Sequence, residues 1–242
     1  MKQTLTLINK IIKSLNGKVE GFYLAGGTAL SLFYFHHRES YDLDFFTKDF
    51  SKKKAEQIVK YIAESINITP VLSSQKNVPD QARMLRYLVP TDKKTNDIDD
   101  DNSLKLDFVE DVYKLIKDID VINGIPVLSK EDIYLRKIYA ACGINQEITE
   151  TGKKIFKGGR QDAKDFFDLY HLSKTFMPLS KFVIEYCNTA EKESVITWYR
   201  RYNRTDIKLG LNDIKTDKKI DFHEMEQHFR SEIENLIREE ME

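Results

Sequence analysis

The chain of 242 residues is poor in several things, and each shortage excludes a class. It has two cysteines, Cys142 and Cys187, far apart in sequence. That is neither a disulfide framework nor the spacing of a metal site. Both fall in apolar helical patterns, where a cysteine serves as a small buried hydrophobe. Ten glycines and five prolines are too few for a collagen-like or low-complexity repeat. Net charge is almost absent, with 38 Lys and Arg against 39 Asp and Glu, which excludes a uniformly basic nucleic-acid binder and leaves room for a local patch. No apolar run approaches the ~18 residues of a membrane-spanning helix. The opening MKQTLTLINKIIKSLNG sets lysines inside its apolar period and has no cleavage site of a signal peptide. A soluble, cytoplasmic chain with no membrane partner is expected, in a reducing compartment.

What is present is an apolar fraction of 41% with 14 Phe and 12 Tyr, enough to argue against disorder. Residues 3–15 place Leu5, Ile8, Ile12 and Leu15 on one helical stripe, ended by Gly17. Val19–Leu24 predicts a strand, Thr28 a helix cap with its helix running to Phe35, and Tyr41–Phe46 a second strand. On that strand Asp42 and Asp44 share one face, Leu43 and Phe45 the other. Ser51 predicts the start of a helix with Ala55, Ile58, Ile62 and Ile66 inward. Strands are expected at 68–73, 82–89 and 104–109, a polar turn at 91–102, and a hairpin around Asn123-Gly124. Ser129 and Asp132 resemble a capping box for a helix to Cys142. Beyond a polar loop at 144–159, helices are predicted over 161–176, 180–203 with a break, and 221–240. The composition thus changes from mixed α/β to all-α near residue 129, giving a lobe of residues 1–128 and a helical lobe of residues 129–242 that contributes to an active-site cleft.

The strongest chemical signal is Gly26-Gly27-Thr28, then thirteen residues, then Asp42-Leu43-Asp44. Two glycines between a strand and a helix let backbone approach a ligand closely. The helix start offers unpaired N–H groups and the positive dipole end, which suit a phosphate. Carboxylates at i and i+2 on a strand project side by side and suit Mg²⁺, which binds through one or two carboxylates plus substrate phosphates. Asp107, on a later strand, could complete the acidic cluster. Taken singly, a Gly-Gly is a tight turn and a D-x-D a solvated face; their order and spacing make the joint case.

The stretch YLAGGTALSLFYFHHRESYDLDFFT resembles the signature of the AbiEii/AbiGii-type nucleotidyltransferase toxins, in the polymerase-β-like nucleotidyltransferase superfamily. The family's Arg-x-Ser-x before the aspartates is present as Arg38-Glu39-Ser40-Tyr41. LKLDFVE, LSKEDIYLRKIYAA and RQDAKDFFDLYHL follow in the family's order, so the resemblance covers residues 20–175. It implies an α+β fold: a nucleotidyltransferase lobe with a mixed, mostly antiparallel sheet, and a C-terminal helical lobe. It also implies roles. Gly26, Gly27 and Thr28 would hold the triphosphate, with Arg38 and Ser40 nearby. Asp42 and Asp44 would bind Mg²⁺, Lys137 would contact the nucleotide phosphates, and Asp165 would support Lys137 or the metal site. The long stretch between Lys137 and Asp165 departs from the family pattern and leaves Asp165 and Asp168 as alternatives for that acid.

The residues themselves leave choices open. Ile133, Lys137 and Ala141 form one stripe, so Lys137 either snorkels or aims into a cleft. Asp165 pairs with Lys137 or caps its own helix. Arg38 holds a phosphate or an acid, and Ser40 a phosphate or a turn. His36-His37 read as solvated or capping. Trp198–Lys208 interleaves basic residues with aromatics, which suits single-stranded RNA, although a core aromatic face with a solvated basic face accounts for it better. The expected reaction is transfer of a nucleoside monophosphate from an NTP, with Mg²⁺, to an acceptor hydroxyl, with the 3′ end of a tRNA favoured and a cognate antitoxin as partner. Protein nucleotidylation, γ-phosphate transfer, and a non-catalytic nucleotide-binding protein are the alternatives.

Overall fold

The alternation of apolar and polar residues along 43–47 and 103–110 builds the centre of a sheet. The computed structural model describes residues 2–91, 103–143, 145–148, 154–157 and 159–241. They fall into two units: 1–35 with 40–129, and 36–39 with 130–242. The first unit ends at Ser129, and His36–Glu39 group with the second.

In the first unit, strands β1 (Tyr23–Ala25), β2 (Leu43–Thr47), β3 (Val71–Lys76), β4 (Met84–Pro90), β5 (Ser103–Glu110), β6 (Asp120–Ile122) and β7 (Ile125–Val127) form one sheet in the order β3-β4-β5-β2-β1-β7-β6. β1–β7 and β2–β5 are parallel and the other pairs antiparallel. The sheet is therefore mixed and mostly antiparallel, as expected. Leu43, Phe45, Leu104, Leu106 and Phe108 are buried, while Asp44 and Asp107 lie on the other face. Phe108 stacks on Phe45 at 5.1 Å and meets Phe22 and Tyr87 edge-on at 5.4 and 6.1 Å. Helix α1 (Lys2–Ser14) packs on α3 (Lys52–Ile66), whose cap is Ser51 and whose inward residues are those expected. Helix α2 (Gly26–Ala29) runs on as a π-type turn over Leu30–Phe35.

Several boundaries move for physical reasons. Val19 and Phe22 are buried without joining a ladder, because Gly17 and Gly21 turn the chain at φ +68° and +75°. Thr28 does not cap the helix, which opens at Gly26; the threonine sits inside it. β2 begins at Leu43, since the Asp42 carbonyl accepts from Thr28. The first strand after α3 runs 71–76 instead of 68–73, following Asn67 in the left-handed region (φ +56°). Asn123 and Gly124 take φ +51° and +75° in the β6–β7 turn, as the dipeptide predicts. The acidic stretch 92–102 lies outside the described residues.

The second unit is helical: α4 (Lys130–Cys142), α5 (Ala163–Thr175), α6 (Leu179–Tyr186), α7 (Thr189–Arg201), α8 (Arg204–Gly210) and α9 (Phe222–Met241). The expected loop at 144–159 contains instead two paired strands, β8 (Asn145–Ile148) and β9 (Lys154–Lys157); their polar composition concealed the ladder. Phe166 centres an aromatic core with Trp198, Tyr202, Phe222 and Phe229. The aromatics of the Trp198–Lys208 segment are thus structural: Trp198, Tyr199 and Tyr202 are buried, Arg200 and Arg201 are exposed, and Arg204 lies 4.6 Å over Tyr202 and pairs with Glu226. Cys142 and Cys187 are both buried thiols, as their patterns suggest. Among the described residues no helix is long and apolar enough to cross a membrane.

Phe108→Ala opens the first unit where four rings meet. It is expected to lower stability by about 3–5 kcal/mol, read as an earlier midpoint in urea unfolding followed by circular dichroism.

Candidate active site

Gly26 adopts φ +72°, a region that side chains rarely enter, and a Cβ built on it would meet Asp44 Oδ2 at 2.5 Å. Ala25 and Asp44 are ladder partners, so the antiparallel β1–β2 pair sets this carboxylate against the first turn of α2. Glycine is needed here to let an acid lie against the helix start. Thr28 is 1% exposed, and its hydroxyl donates to the Asp42 carbonyl and lies 2.8 Å from the Ser40 hydroxyl. Thr28 and Ser40 thereby fasten the chain just before the two aspartates. Asp42 is exposed and Asp44 partly so. Asp107 is the register partner of Asp44 on β5, but both its oxygens are held by Arg86 in a fork at 2.7 Å. Among the described residues no three His, Cys, Asp or Glu side chains converge as a metal cage. An ion held by such acids would be one that takes only one or two carboxylates and completes its shell with water and phosphate.

The second set of expected residues lies inside the other unit. Lys137, on the apolar stripe of α4, is buried. Its ammonium does not snorkel, but reaches Asp165 Oδ1 and Asp168 Oδ2, each at 2.7 Å. Asp165 does not cap α5, because Asp162 does, accepting from the Lys164 amide at 2.8 Å. Asp165 also pairs with Arg160, whose side chain is 60% exposed. Asp168, fully buried, takes the Arg38 fork at 2.6 and 2.8 Å and His37 Nε2 at 2.7 Å. Of the two readings of Arg38, holding an acid is the one observed. His37 is not solvated: it is 1% exposed and stacks on Phe167. The sequence thus left undecided which acid pairs with Lys137, and both do. Sequence reasoning missed His37 and Arg160. The available signal was the i, i+3 spacing of Asp165 and Asp168, which puts both on one face of α5.

Burial works against ionising Asp165 and Asp168, yet both are held below the usual carboxylate range. Lys137 with Arg160 does this for Asp165, and Lys137 with Arg38 for Asp168. Burial would likewise lower the Lys137 pKa, but the two carboxylates outweigh it and raise it. His171, 5.0 Å from His37, is pushed down to about 4, mainly by burial.

The family described as nucleotidyl transferase AbiEii toxin, type IV toxin–antitoxin system, matches residues 13–242. Comparison with curated proteins gives no match. Among solved structures, JHP933 from Helicobacter pylori is similar, with a TM-score of 0.59 and 20% identity over 100% of this chain and 96% of that one. An H. pylori protein with a provisional nucleotidyltransferase assignment scores 0.58 at 20% identity, over 97% and 95% of the two chains. At such identity the likeness is one of fold, and it is the expected α+β nucleotidyltransferase fold.

Two outcomes are expected. Gly26→Ala forces a strained φ and displaces the Asp44 carboxylate, so it should lower thermal stability and impair whatever Asp44 does, checked by melting and by transfer assay. Acid should act in two stages. The folded chain binds fewer protons than the unfolded one wherever a pKa is depressed, so stability falls as pH falls. His171 contributes between 6.5 and about 4, and the two aspartates below the ordinary carboxylate value of 3.8. Urea midpoints measured across acid pH should show both stages, and His171→Gln should reduce the upper one, the remainder coming from His228, whose pKa burial also lowers.

Proposed function

The chain belongs to the AbiEii nucleotidyl transferase toxin family, and we propose that it transfers a nucleoside monophosphate from an NTP to an acceptor hydroxyl, releasing pyrophosphate. The observation that carries this reading is the Asp44 carboxylate lying against Gly26 at the start of α2. It sets an acid beside a helix start, and a carboxylate and helix-start N–H groups are the two things a metal-bound triphosphate needs.

In this reading Gly26 and Gly27 let backbone N–H groups approach the triphosphate. Thr28 and Ser40 shape that turn from within. Asp42 and Asp44 would hold Mg²⁺, while Asp107 stays with Arg86. The ion would neutralise the phosphates and stabilise the charge that develops as pyrophosphate leaves. Lys137 binds the phosphates, with Asp165 as its support. The rate comes from positioning and charge stabilisation, with little covalent work by the protein. The favoured acceptor is RNA, at the 3′ end of a tRNA. The family's toxin–antitoxin description makes a cognate antitoxin the expected partner, with the cytoplasm as the place of action.

Incubation with labelled NTPs, total cellular RNA and total protein tests this. Label in RNA and released pyrophosphate are expected, both abolished by Asp42→Ala and by Asp44→Ala with the melting temperature retained. Label in protein moves the acceptor, NDP as product means γ-phosphate transfer, and full activity in both variants ends the assignment.

A further inference from the structure

An ammonium has three N–H donors, and two of those on Lys137 are committed to Asp165 and Asp168. The two acids are not equivalent. Asp165 shares its charge with Arg160, whose side chain is 60% exposed, so that end of the array meets water. Asp168 has no exposure, and every charged group around it is buried as well. We propose that Asp168, clamped by Arg38 and His37, is a positioning residue that fixes the Lys137 ammonium, and that Arg38 acts on the reaction through Asp168 without touching substrate. This rests on the phosphate role proposed above for Lys137.

The geometry of Arg38 supports it. Nε and Nη2 form a side-on fork with the two Asp168 oxygens, at 2.6 and 2.8 Å, and Nη1 donates to the Glu39 carbonyl at 3.0 Å. All three guanidinium nitrogens donate within the chain, so the fork itself is committed to protein oxygens. The loop that carries it is pinned on both sides. Thr216 Oγ donates to the His37 carbonyl at 2.7 Å, and the Glu39 amide donates to the Lys215 carbonyl at 2.7 Å. The His37 ring stacks on Phe167, the residue before Asp168, at 5.8 Å and 13°. A carboxylate held by a planar fork, an imidazole and a packed ring has little freedom, and it passes that rigidity to the ammonium it accepts from.

Charge follows from the same contacts. Asp165 and Asp168 face Lys137 from α5 and Arg38 faces it from the loop; Arg160, His37 and the half-buried His171 stand behind them. Burial favours the neutral amine, and two carboxylates oppose it. Without Asp168, Lys137 keeps only an acid that it shares with Arg160.

A double-mutant cycle tests the relay. Arg38→Gln and Asp168→Asn are each expected to lower kcat for nucleotide transfer by about tenfold or more, with the double variant no worse than Asp168→Asn alone. Asp168→Asn should also lose activity as pH rises through a range where the parent is flat. Additive losses, or a raised KM for NTP with kcat intact in Arg38→Gln, overturn the proposal. NMR titration of lysines labelled at Cε provides a readout without activity: the Lys137 signal should titrate at lower pH in Asp168→Asn than in the parent. An unchanged Lys137 titration overturns the proposal. If Asp168→Asn does not fold, the Lys137 signal in Arg38→Gln decides, since that variant keeps both acids: a shifted titration supports the relay and an unshifted one overturns it. If the parent shows no transfer while the Lys137 titration still responds, the catalytic reading fails and the relay stands.

Discussion

One ammonium held between two buried carboxylates organises the second unit. Lys137 comes from α4, Asp165 and Asp168 from α5, and Arg38 from a loop about a hundred residues earlier. Burying such charges is expensive, and a buried ion pair often adds little net stability over a well-packed apolar substitute. Removing one partner is another matter, since the remaining charge stays desolvated with nothing to answer it. The array therefore acts as a latch for geometry. It specifies how α4, α5 and the His36–Glu39 loop must meet, because any other meeting strands a charge.

The Gly26-to-Asp44 segment shows the same division between parts that build and parts that present. Thr28 and Ser40 look like ligands in sequence, yet their hydroxyls meet each other, and Thr28 also binds the Asp42 carbonyl. Arg38 looks like a phosphate contact and is turned onto an acid. The segment keeps its two aspartates accessible, Asp42 most of all. A motif of this kind is largely scaffolding for the few groups that reach solvent, and the scaffolding residues are as constrained in type as the reactive ones. Gly26 is the sharpest instance, because its φ and the nearby Asp44 oxygen independently exclude a side chain.

This division explains what was legible in the sequence. Periodicity revealed α3 and β5 nearly to the residue, because one face of each is buried and the other wet. The Asn123-Gly124 turn was legible because its dihedrals demand those residues. The order Gly-Gly, D-x-D, Lys, Asp identified the family, since chemistry restricts residue type at those positions. Long-range pairing was not legible. Nothing in HHRES says that Arg38 and His37 meet Asp168, 130 and 131 residues away, since a charge carries no address for its partner. β8 and β9 escaped because a two-stranded ladder needs no apolar alternation, and the Val19–Leu24 stretch misled because burial without pairing reads as a strand.

The near-zero net charge also takes on a different meaning. Around Lys137, among the described residues, Arg38, Lys137 and Arg160 interlock with Asp165 and Asp168, and Asp162 adds its charge beside Arg38, so the array is close to balanced within itself. Asp42 and Asp44 provide negative charge on the sheet. Charge therefore sits in separate local sets, acids on the sheet of the first unit and an interlocked cation–carboxylate array inside the second, and a total near zero is the sum of such sets and says nothing against either.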